Sequence, residues 1–253
     1  MRYGLIGEKL GHSYSKIIHE MMADYTYDLI PLSREELTAF MEKKDFTAIN
    51  VTIPYKQAVI PYLDEVHPHA GEIGAVNTIV NRSGRFVGYN TDFYGFSYLL
   101  WHNNIEVKDK KCLILGSGGT SHTAKAVLRH LEAAEILVVS RKEEEGMIPY
   151  EDCYSKHKDT QVIVNTTPLG MYPNTEASPL DLRPFTHCEA VVDVIYNPIQ
   201  TMFTLQAQEL GIKAITGLEM LVAQAKQAIE YFLDKKLEDQ VIEETYRKLL
   251  ERI

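Results

Sequence analysis

The segment from Lys111 to Leu128 has the order of a buried strand, a glycine turn and the start of a helix. Residues 113–115 are apolar throughout, as a strand covered on both faces requires. The turn reads Gly116-Ser117-Gly118-Gly119-Thr120. Its glycines let the backbone approach a ligand closely, and the helix start that follows favours negative charge. The pattern predicts a binding site for the pyrophosphate of a dinucleotide at residues 116–120.

The glycine turn begins more than a hundred residues into the chain, so the preceding part is long enough to form a domain. We predict a first domain over residues 1–102, completed by the strongly helical residues 219–253. A second, nucleotide-binding domain is expected over residues 103–218. Ligands of two-domain proteins are commonly bound in a cleft between the domains, and we expect such a cleft here.

The order of apolar runs predicts an α/β fold. In the first half, short strand-like runs alternate with amphipathic stretches, and Ser33 with Glu36 has the spacing of a capping box before a helix ending at Lys43. The strands around this helix should be parallel, and the turn residues 82–84 predict a hairpin at 76–89.

The second half supplies the strands of a Rossmann-like, doubly wound parallel sheet, with further runs at 136–139, 162–165, 190–195 and 212–215. The sequence between Arg141 and Thr160 is short and broken, so it predicts a loop or a single turn where a crossover helix is usual.

Charge and cysteine content narrow the class of protein. The chain has 26 basic and 35 acidic residues and no basic stripe, which argues against nucleic acid or an anionic membrane and favours a small-molecule partner. Its three cysteines lack the spacing of a disulfide framework or a metal site, and Cys112 is expected to be a buried, unreactive side chain. With no signal-like or membrane-spanning stretch, a soluble cytoplasmic protein without a metal is expected.

Two residues are candidates for proton transfer. Lys56 follows a predicted parallel strand, at the edge where open α/β sheets bind ligands, and Asp92 ends the predicted hairpin. The alternatives are a solvated surface lysine and a helix N-cap.

Near the N-terminus, Ser13 and Ser15 could direct two hydroxyls at one carboxylate, although Ser15 could equally cap a helix. His12, His19 and His122 have no carboxylate partner at informative spacing, and we interpret them as structural.

Several motifs occur in a fixed order along nearly the whole chain. They are Ser-x-Ser at 13–15, Asn-Val-Thr-Ile-Pro-Tyr-Lys at 50–56, Gly-Ala-Val-Asn-Thr at 74–78, Tyr-Asn-Thr-Asp at 89–92, the glycine turn, Asn-Thr-Thr-Pro-Leu-Gly-Met at 165–171 and Gly-Leu-Glu-Met-Leu-Val-Ala-Gln at 217–224. With this combination the chain resembles the shikimate dehydrogenase family from end to end.

The resemblance implies reversible hydride transfer between C3 of shikimate or 3-dehydroshikimate and a nicotinamide cofactor, usually NADP, as a step of aromatic amino-acid biosynthesis. It implies that Lys56 and Asp92 are the acid/base pair. It also implies a substrate-binding set and a cofactor-binding set. The first comprises Ser13 and Ser15 for the carboxylate and Thr52, Asn77, Asp92, Tyr196 and Gln224 around the rest of the molecule. The second comprises Gly116, Ser117, Gly118, Gly119, Thr120, Ser140, Arg141, Thr166 and Gly217, with Met220 near the nicotinamide.

The cofactor preference and the substrate leave alternatives open. No acidic residue follows the second strand of the cofactor domain, where Ser140-Arg141-Lys142 favours a 2′-phosphate. The glutamates at 143–145 would repel that phosphate, so NAD remains possible beside NADP. Quinate or dual quinate/shikimate dehydrogenases share most of the motifs, whereas a non-catalytic nucleotide-binding regulator would not be expected to keep Lys56 and Asp92. Either a monomer or a homodimer is compatible with the sequence.

Overall fold

The computed structural model describes residues 2–11, 13–141 and 145–252. The chain divides into two compact units, one of Met1–Gly95 with Leu221–Ile253 and one of Phe96–Met220. Both units contain a sheet with helices, which confirms the predicted α/β class. His12, Lys142, Glu143 and Glu144 lie outside the described residues.

The elements of the first part of the chain follow the predicted alternation of strands and helices. They are β1 (Tyr3–Gly7), α1 (Ser15–Met22), β2 (Tyr27–Pro31), α2 (Arg34–Lys43), β3 (Ala48–Val51), a 3₁₀ helix (Ile60–Tyr62), β4 (Glu65–Val66), α3 (Pro68–Ile73), β5 (Thr78–Arg82), β6 (Arg85–Tyr89) and α4 (Asp92–His102).

The remaining elements begin with the strand that precedes the glycine turn. They are β7 (Lys111–Leu115), α5 (Gly119–His130), β8 (Glu135–Val139), β9 (Met147–Ile148), α6 (Tyr150–Lys156), β10 (Val162–Asn165), β11 (Ala190–Asp193), α7 (Met202–Glu209), β12 (Lys213–Thr216), α8 (Leu218–Leu233) and α9 (Gln240–Leu250).

The sheet of the first unit has the strand order β2-β1-β3-β5-β6-β4 within the described residues. β1 pairs in parallel with β2 and β3, as expected around α2, whereas β5 is antiparallel to both β3 and β6. Ser83 and Gly84 at the β5–β6 turn both have positive φ, 54° and 89°. This backbone twist matches the twist of paired strands and explains why the predicted hairpin forms there.

Local interactions fix the start of α2 as the sequence predicts. The Glu36 N–H donates to Ser33 Oγ at 3.4 Å, and the Ser33 N–H donates to Glu36 Oε2 at 2.8 Å. This reciprocal capping box satisfies two N–H groups that have no partner within the helix. Leu37 and Met41 then lie on the buried face of α2.

The sheet of the second unit has the order β12-β11-β10-β7-β8-β9 in the described part of the chain, and every pair of neighbours is parallel. This confirms the predicted doubly wound sheet. The prediction of a loop or single turn between Arg141 and Thr160 is wrong, because this segment contains β9 and the seven-residue α6. Apolar Met147 and Ile148 extend the sheet by pairing with β8, which places α6 directly after a two-residue edge strand.

Large apolar side chains form the core of the first unit on both faces of its sheet. Ile6, Ile49 and Ile79 are fully buried in one cluster. On the other face, Ala228 and Phe232 of α8 pack against Leu5. Each fully buried side chain of this size contributes about 1.5–3 kcal/mol, so this packing holds the helical C-terminal part of the chain on the first sheet.

All three cysteines lie in the second unit and are buried, as predicted for Cys112. Burial raises the pKa of the Cys112 thiol to about 12, that of Cys153 to about 11 and that of Cys188 to about 12. None of them is therefore a thiolate near neutral pH. Among the described helices, none combines the length and apolar character needed to cross a membrane.

Candidate active site

The register of the first sheet brings several segments to one edge. Ile6 pairs with Val51, so the carboxyl ends of β1 and β3 lie side by side. β5 runs in the opposite direction, and Asn50 lies opposite Thr78, so β5 begins at this same edge. Residues that follow β1 and β3 and residues that precede β5 are therefore collected together, although they are distant in sequence.

Lys56 and Asp92 form an ion pair at this edge. Lys56 Nζ donates to Asp92 Oδ2 at 2.6 Å, and the two side chains are 26% and 15% exposed. Asp92 is the first residue of α4, where the helix dipole favours a carboxylate. Neither alternative interpretation describes the pair fully. Lys56 is not a solvated surface lysine, because its side chain is mostly shielded from solvent. Asp92 is more than a residue at a helix start, because it accepts a hydrogen bond from Lys56.

Two backbone-anchoring contacts hold the loop that carries Lys56. The buried Tyr55 side chain donates its hydroxyl hydrogen to the Leu32 carbonyl at 2.6 Å. The Val76 N–H donates to the Lys56 carbonyl at 2.7 Å. Ile53, in contrast, is 77% exposed and does not enclose the lysine. The ammonium group is thus held in position but remains accessible to a small molecule.

A second set of polar side chains lies beside the ion pair. Its central residue is Thr91, which directly precedes Asp92 and contacts both Asn77 and Gln224. The Thr91 N–H donates to Asn77 Oδ1 at 2.8 Å, and Thr91 Oγ1 lies 3.2 Å from Asn77 Oδ1 and 3.1 Å from Gln224 Oε1. Because Asn77 Oδ1 accepts these bonds, its Nδ2 faces away from them and has no hydrogen-bond acceptor among the described residues. Gln224 of α8 comes from far along the chain to join the group that contains Asn77.

Ser13 and Ser15 lie at the start of α1, in the segment that follows β1. The Ser15 N–H donates to Ser13 Oγ at 3.2 Å, and α1 begins at Ser15 itself without a side-chain cap. The hydroxyl of Ser15 is half-buried and has no partner in the described parts of the chain. Thr52, directly after β3, likewise has a half-buried side chain at the same edge of the sheet.

Of the histidines, His19 is fully buried and His122 is exposed. His19 Nδ1 lies 2.7 Å from the Tyr25 hydroxyl, and its ring stacks on Tyr27. Burial lowers the pKa of His19 to about 3, so this side chain stays neutral within the core of the first unit. The structural interpretation of His19 follows from its position.

The glycine turn of the second unit has a geometry that allows its backbone to bind a ligand closely. Gly116 has φ +103°, and a Cβ there would lie 2.9 Å from Thr167 Cγ2, so a larger residue would be strained and crowded. At Gly118 and Gly119 a Cβ would meet no atom within 4 Å, which leaves open space in front of the turn. Gly118 is the N-cap of α5, and in the described part of the chain no side chain accepts a hydrogen bond from the first N–H groups of this helix. These N–H groups therefore suit an anionic ligand.

A cavity of about 220 Å³ extends from this turn. Its wall includes Gly116, Ser117 and Gly118 of the turn, Ser140 and Arg141 after β8, Thr166 after β10, and Tyr150 at the start of α6. Among the described residues, no carboxylate lines it. Tyr150 had not been predicted, because it belongs to the segment expected to be a loop. Glu145, the one described glutamate of the predicted acidic run, is exposed.

The other predicted residues of the second unit lie after β11 and before α8. Tyr196 is half-buried and follows β11 by three positions, and Met220 is buried in the first turn of α8. Gly217 donates its N–H to the Ile195 carbonyl at 2.9 Å, and a Cβ there would overlap the backbone of Val194. Thr120 lies in the first turn of α5, beside the open space in front of Gly119.

A larger cavity of about 550 Å³ lies elsewhere on the second unit. It is lined by residues of α6, of α7 and of the segment before β11, including Tyr154, Leu180, Met202, Leu205 and Gln206. It contains none of the predicted site residues. Size alone therefore does not identify the candidate site, whereas the convergence of polar groups and glycine backbone does.

Comparison with known proteins gives a consistent result along the chain. The family model described as the shikimate dehydrogenase substrate binding domain matches residues 5–79. A shikimate dehydrogenase (NADP(+)) of Clostridium perfringens (strain 13 / Type A) is 35% identical, and the alignment covers 98% of this chain and 97% of that protein.

Two solved structures extend the likeness to the fold. A chorismate mutase/shikimate 5-dehydrogenase fusion protein from Clostridium acetobutylicum has a TM-score of 0.94 and 38% identity, with 99% of this chain and 97% of that chain covered. Shikimate 5-dehydrogenase from Thermus thermophilus, solved in complex with NADP(H) and shikimate, has a TM-score of 0.88 and 30% identity, with 98% and 99% covered. The similarity thus includes both units.

Proposed function

We propose that this chain, which belongs to the shikimate dehydrogenase family, catalyses the reversible NADP-dependent reduction of 3-dehydroshikimate to shikimate. The observation that carries the proposal is the Lys56–Asp92 pair, with Nζ and Oδ2 2.6 Å apart, next in sequence to the Asn77–Thr91–Gln224 group. A proton-transfer pair and oriented amides suit the oxidation of one hydroxyl among several. The glycine turn of the second unit supports a dinucleotide cofactor, since open space lies before Gly118 and Gly119.

When bound, the nicotinamide of NADP supplies the acceptor for the hydride that leaves C3 of shikimate. The chain's own residues then handle the proton. In the direction of oxidation, Lys56 Nζ passes a proton to Asp92 Oδ2 and takes up the proton of the C3 hydroxyl as the carbon–oxygen double bond forms. In reduction the two transfers run in reverse, and Lys56 returns a proton to that oxygen. Asp92 holds the ammonium group in place, which restricts the geometry of transfer.

Substrate recognition is assigned to the remaining polar groups. We propose that Ser13 and Ser15 bind the carboxylate, because both hydroxyls lie at the start of α1 and the Ser15 hydroxyl is unused within the described residues. Asn77 Nδ2, Thr52, Asp92 and Gln224 are proposed to bind the hydroxyls. Tyr196 is assigned to the substrate on the family resemblance alone.

Ser15→Ala and Ser13→Ala are each expected to raise KM for shikimate about tenfold with little change in kcat. Hydrogen bonds to a charged group contribute about 1.5–3 kcal/mol, and this binding is present before and during hydride transfer. Steady-state kinetics with shikimate as the varied substrate measures the effect. Ser33→Ala is the matched control, because it removes a serine at the start of α2 and should leave KM unchanged. An unaltered KM in both site variants would contradict the assignment.

NADP is favoured over NAD by the residues around the cofactor cavity. Ser140 and Arg141 line it, and no carboxylate among the described residues does. A cationic side chain suits a 2′-phosphate, whereas a ribose 2′-hydroxyl is usually bound by an acidic residue. We propose that Arg141 binds the 2′-phosphate, that residues 116–120 hold the pyrophosphate, and that Thr166, Gly217 and Met220 lie along the cofactor.

Gly118→Ala is expected to raise KM for NADP about tenfold without lowering the free energy of unfolding. A methyl group there meets no protein atom within 4 Å, so it would occupy the space proposed for the pyrophosphate. Kinetics with varied NADP and urea unfolding measure the two quantities. Gly71→Ala, an equally uncrowded glycine in α3, should leave KM for NADP unchanged. A normal KM for NADP in Gly118→Ala would place the pyrophosphate elsewhere.

The proposed function is tested by nicotinamide reduction with purified protein. Shikimate and quinate are each offered with NADP and with NAD, and kcat/KM is compared among the four pairs. The highest kcat/KM for shikimate with NADP is expected. A preference for quinate would assign the chain to the alternative substrate, equal use of NAD would contradict the role of Arg141, and no turnover with any pair would overturn the proposed function.

A further inference from the structure

Asp193 is a fully buried carboxylate at the end of β11, in the second unit. Three donors converge on it. Asn165 Nδ2 and the Ile195 N–H donate to Oδ1 at 3.0 and 3.1 Å, and the Thr201 hydroxyl donates to Oδ2 at 2.7 Å. These partners come from the end of β10, from the turn after β11 and from the N-cap of α7. A carboxylate that only accepts hydrogen bonds fits this set of donors.

The contact with Asn165 leads to the wall of the cofactor cavity. Because Asn165 Nδ2 faces Asp193, its Oδ1 faces Thr167 and accepts from the Thr167 N–H at 3.0 Å and from the Thr167 hydroxyl at 2.7 Å. Thr167 Oγ1 in turn accepts from the Leu169 N–H at 3.3 Å. Residues 166–169, here called the 166–169 loop, line the cavity throughout.

The contact with Thr201 reaches the same loop from the other side. A Cβ at Gly170, directly after the loop, would lie 3.4 Å from Thr201 Cβ. At the opposite end, Thr166 Oγ1 donates to the Leu115 carbonyl at 2.7 Å and lies 3.0 Å from a Cβ built on Gly116. The loop is therefore fitted between the glycine turn and the groups that Asp193 orients.

We propose that Asp193, in its charged form, is a positioning residue that sets the 166–169 loop against the cofactor. This inference rests on the proposed function, since it presumes that the cavity binds NADP. The charged carboxylate accepts from Asn165 Nδ2, which also donates to the Leu169 carbonyl at 3.5 Å, while Asn165 Oδ1 accepts from the Thr167 N–H. Asp193 therefore connects the loop to β11 through Asn165. A neutral group at position 193 has one acceptor fewer for its three donors, so the contacts with Asn165 and Thr201 that hold the loop are weakened.

Burial raises the pKa of Asp193 to about 6, so the charged form is lost in an accessible pH range. The groups that face it are an amide from β10, a hydroxyl from α7 and a backbone N–H from the following turn, and Thr216 lies opposite it in β12. None of these groups titrates, so a pH effect that disappears on removing Asp193 can be ascribed to this carboxyl.

The test measures NADPH binding by fluorescence titration at pH 5 to 8, without substrate, for the wild type and Asp193→Asn. The variant is expected to bind about tenfold more weakly at pH 7.5. The ratio of the two dissociation constants should fall towards one as the pH drops below about 6, because the wild-type carboxyl then becomes neutral too. Protonation of the 2′-phosphate affects both proteins equally and cancels in the ratio.

A ratio of one throughout, or a raised ratio that does not change with pH, would overturn the inference. Thr160→Val is the matched control, because it removes a buried hydroxyl just before β10, at the end remote from Asn165, and should leave binding unchanged. Equal weakening in this control would also overturn it.

Adding Asn165→Ala to Asp193→Asn should weaken binding little further, since both act on one loop. If the two losses of binding free energy add, Asp193 and Asn165 do not act through the same loop, and the inference is contradicted. Absence of NADPH binding in the wild type would instead refute the proposed function itself.

Discussion

Lys56→Ala is expected to lower kcat by about 10²–10⁴ and to leave KM for shikimate nearly unchanged. The variant removes the group proposed to exchange a proton with the C3 oxygen, and this exchange accompanies hydride transfer. The substrate contacts proposed for Ser13, Asn77 and Gln224 would remain. The measurement is steady-state oxidation of shikimate at saturating NADP, with circular dichroism to verify folding.

Lys108→Ala provides the matched control for this experiment. Lys108 also pairs with a carboxylate, with Nζ 2.6 Å from Glu132 Oε2, but both side chains are more than half exposed. Its removal should leave kcat and KM at the wild-type values, because exposed ion pairs contribute little. A wild-type kcat in Lys56→Ala would exclude Lys56 as the acid/base, and an equal loss in the control would show that the effect is not specific.

Asp193→Asn is expected to gain stability relative to the wild type as the pH rises. Burial raises the pKa of Asp193 from 3.8 to about 6, so the folded protein binds this proton more tightly than the unfolded chain does. The wild type therefore loses free energy of unfolding between about pH 4 and pH 7, while the variant lacks this titration. The difference, variant minus wild type, should grow by about 2 kcal/mol over that range.

Urea unfolding at several pH values, followed by circular dichroism, measures this difference. Thr160→Val should change the free energy of unfolding by an amount that does not depend on pH. If the difference in free energy of unfolding between Asp193→Asn and the wild type does not change with pH, the environment of the folded protein does not disfavour the charged carboxyl. With the weaker NADPH binding inferred for the same variant, the expected result is a protein whose stability relative to the wild type rises with pH although it binds its cofactor less well.

Much of the fold could be predicted because it depends on local patterns. The capping box at Ser33 predicts the start of α2, and the turn residues Ser83 and Gly84 predict the β5–β6 hairpin. Continuous apolar runs predict the buried parallel strands of the second sheet. The segment between Arg141 and Thr160 was mispredicted because β9 has only two residues and is stabilised by its pairing with β8, a contact that no local pattern contains.

The residues of the candidate site could be predicted from the sequence, but their contacts with one another could not. Lys56 and Asp92 could be identified by their positions after strands, but their contact depends on the registers of β3 with β5 and of β5 with β6. Thr91 lies in the Tyr-Asn-Thr-Asp motif, but no local pattern predicts that its side chain contacts Asn77 and Gln224. For Asp193 a signal did exist: it is a carboxylate that directly follows three apolar residues of a predicted buried strand.

Because the cysteines are buried, thiol modification can measure the opening of the second unit separately from that of the first. Cys112, Cys153 and Cys188 all lie in residues 96–220, and the first unit contains none. A thiol reagent can modify them only when their surroundings open, because each is buried. The modification rate of Cys112, in the central β7, therefore reports the opening free energy of the second unit. Adding NADPH should slow that rate, while a ligand confined to the other half should leave it unchanged.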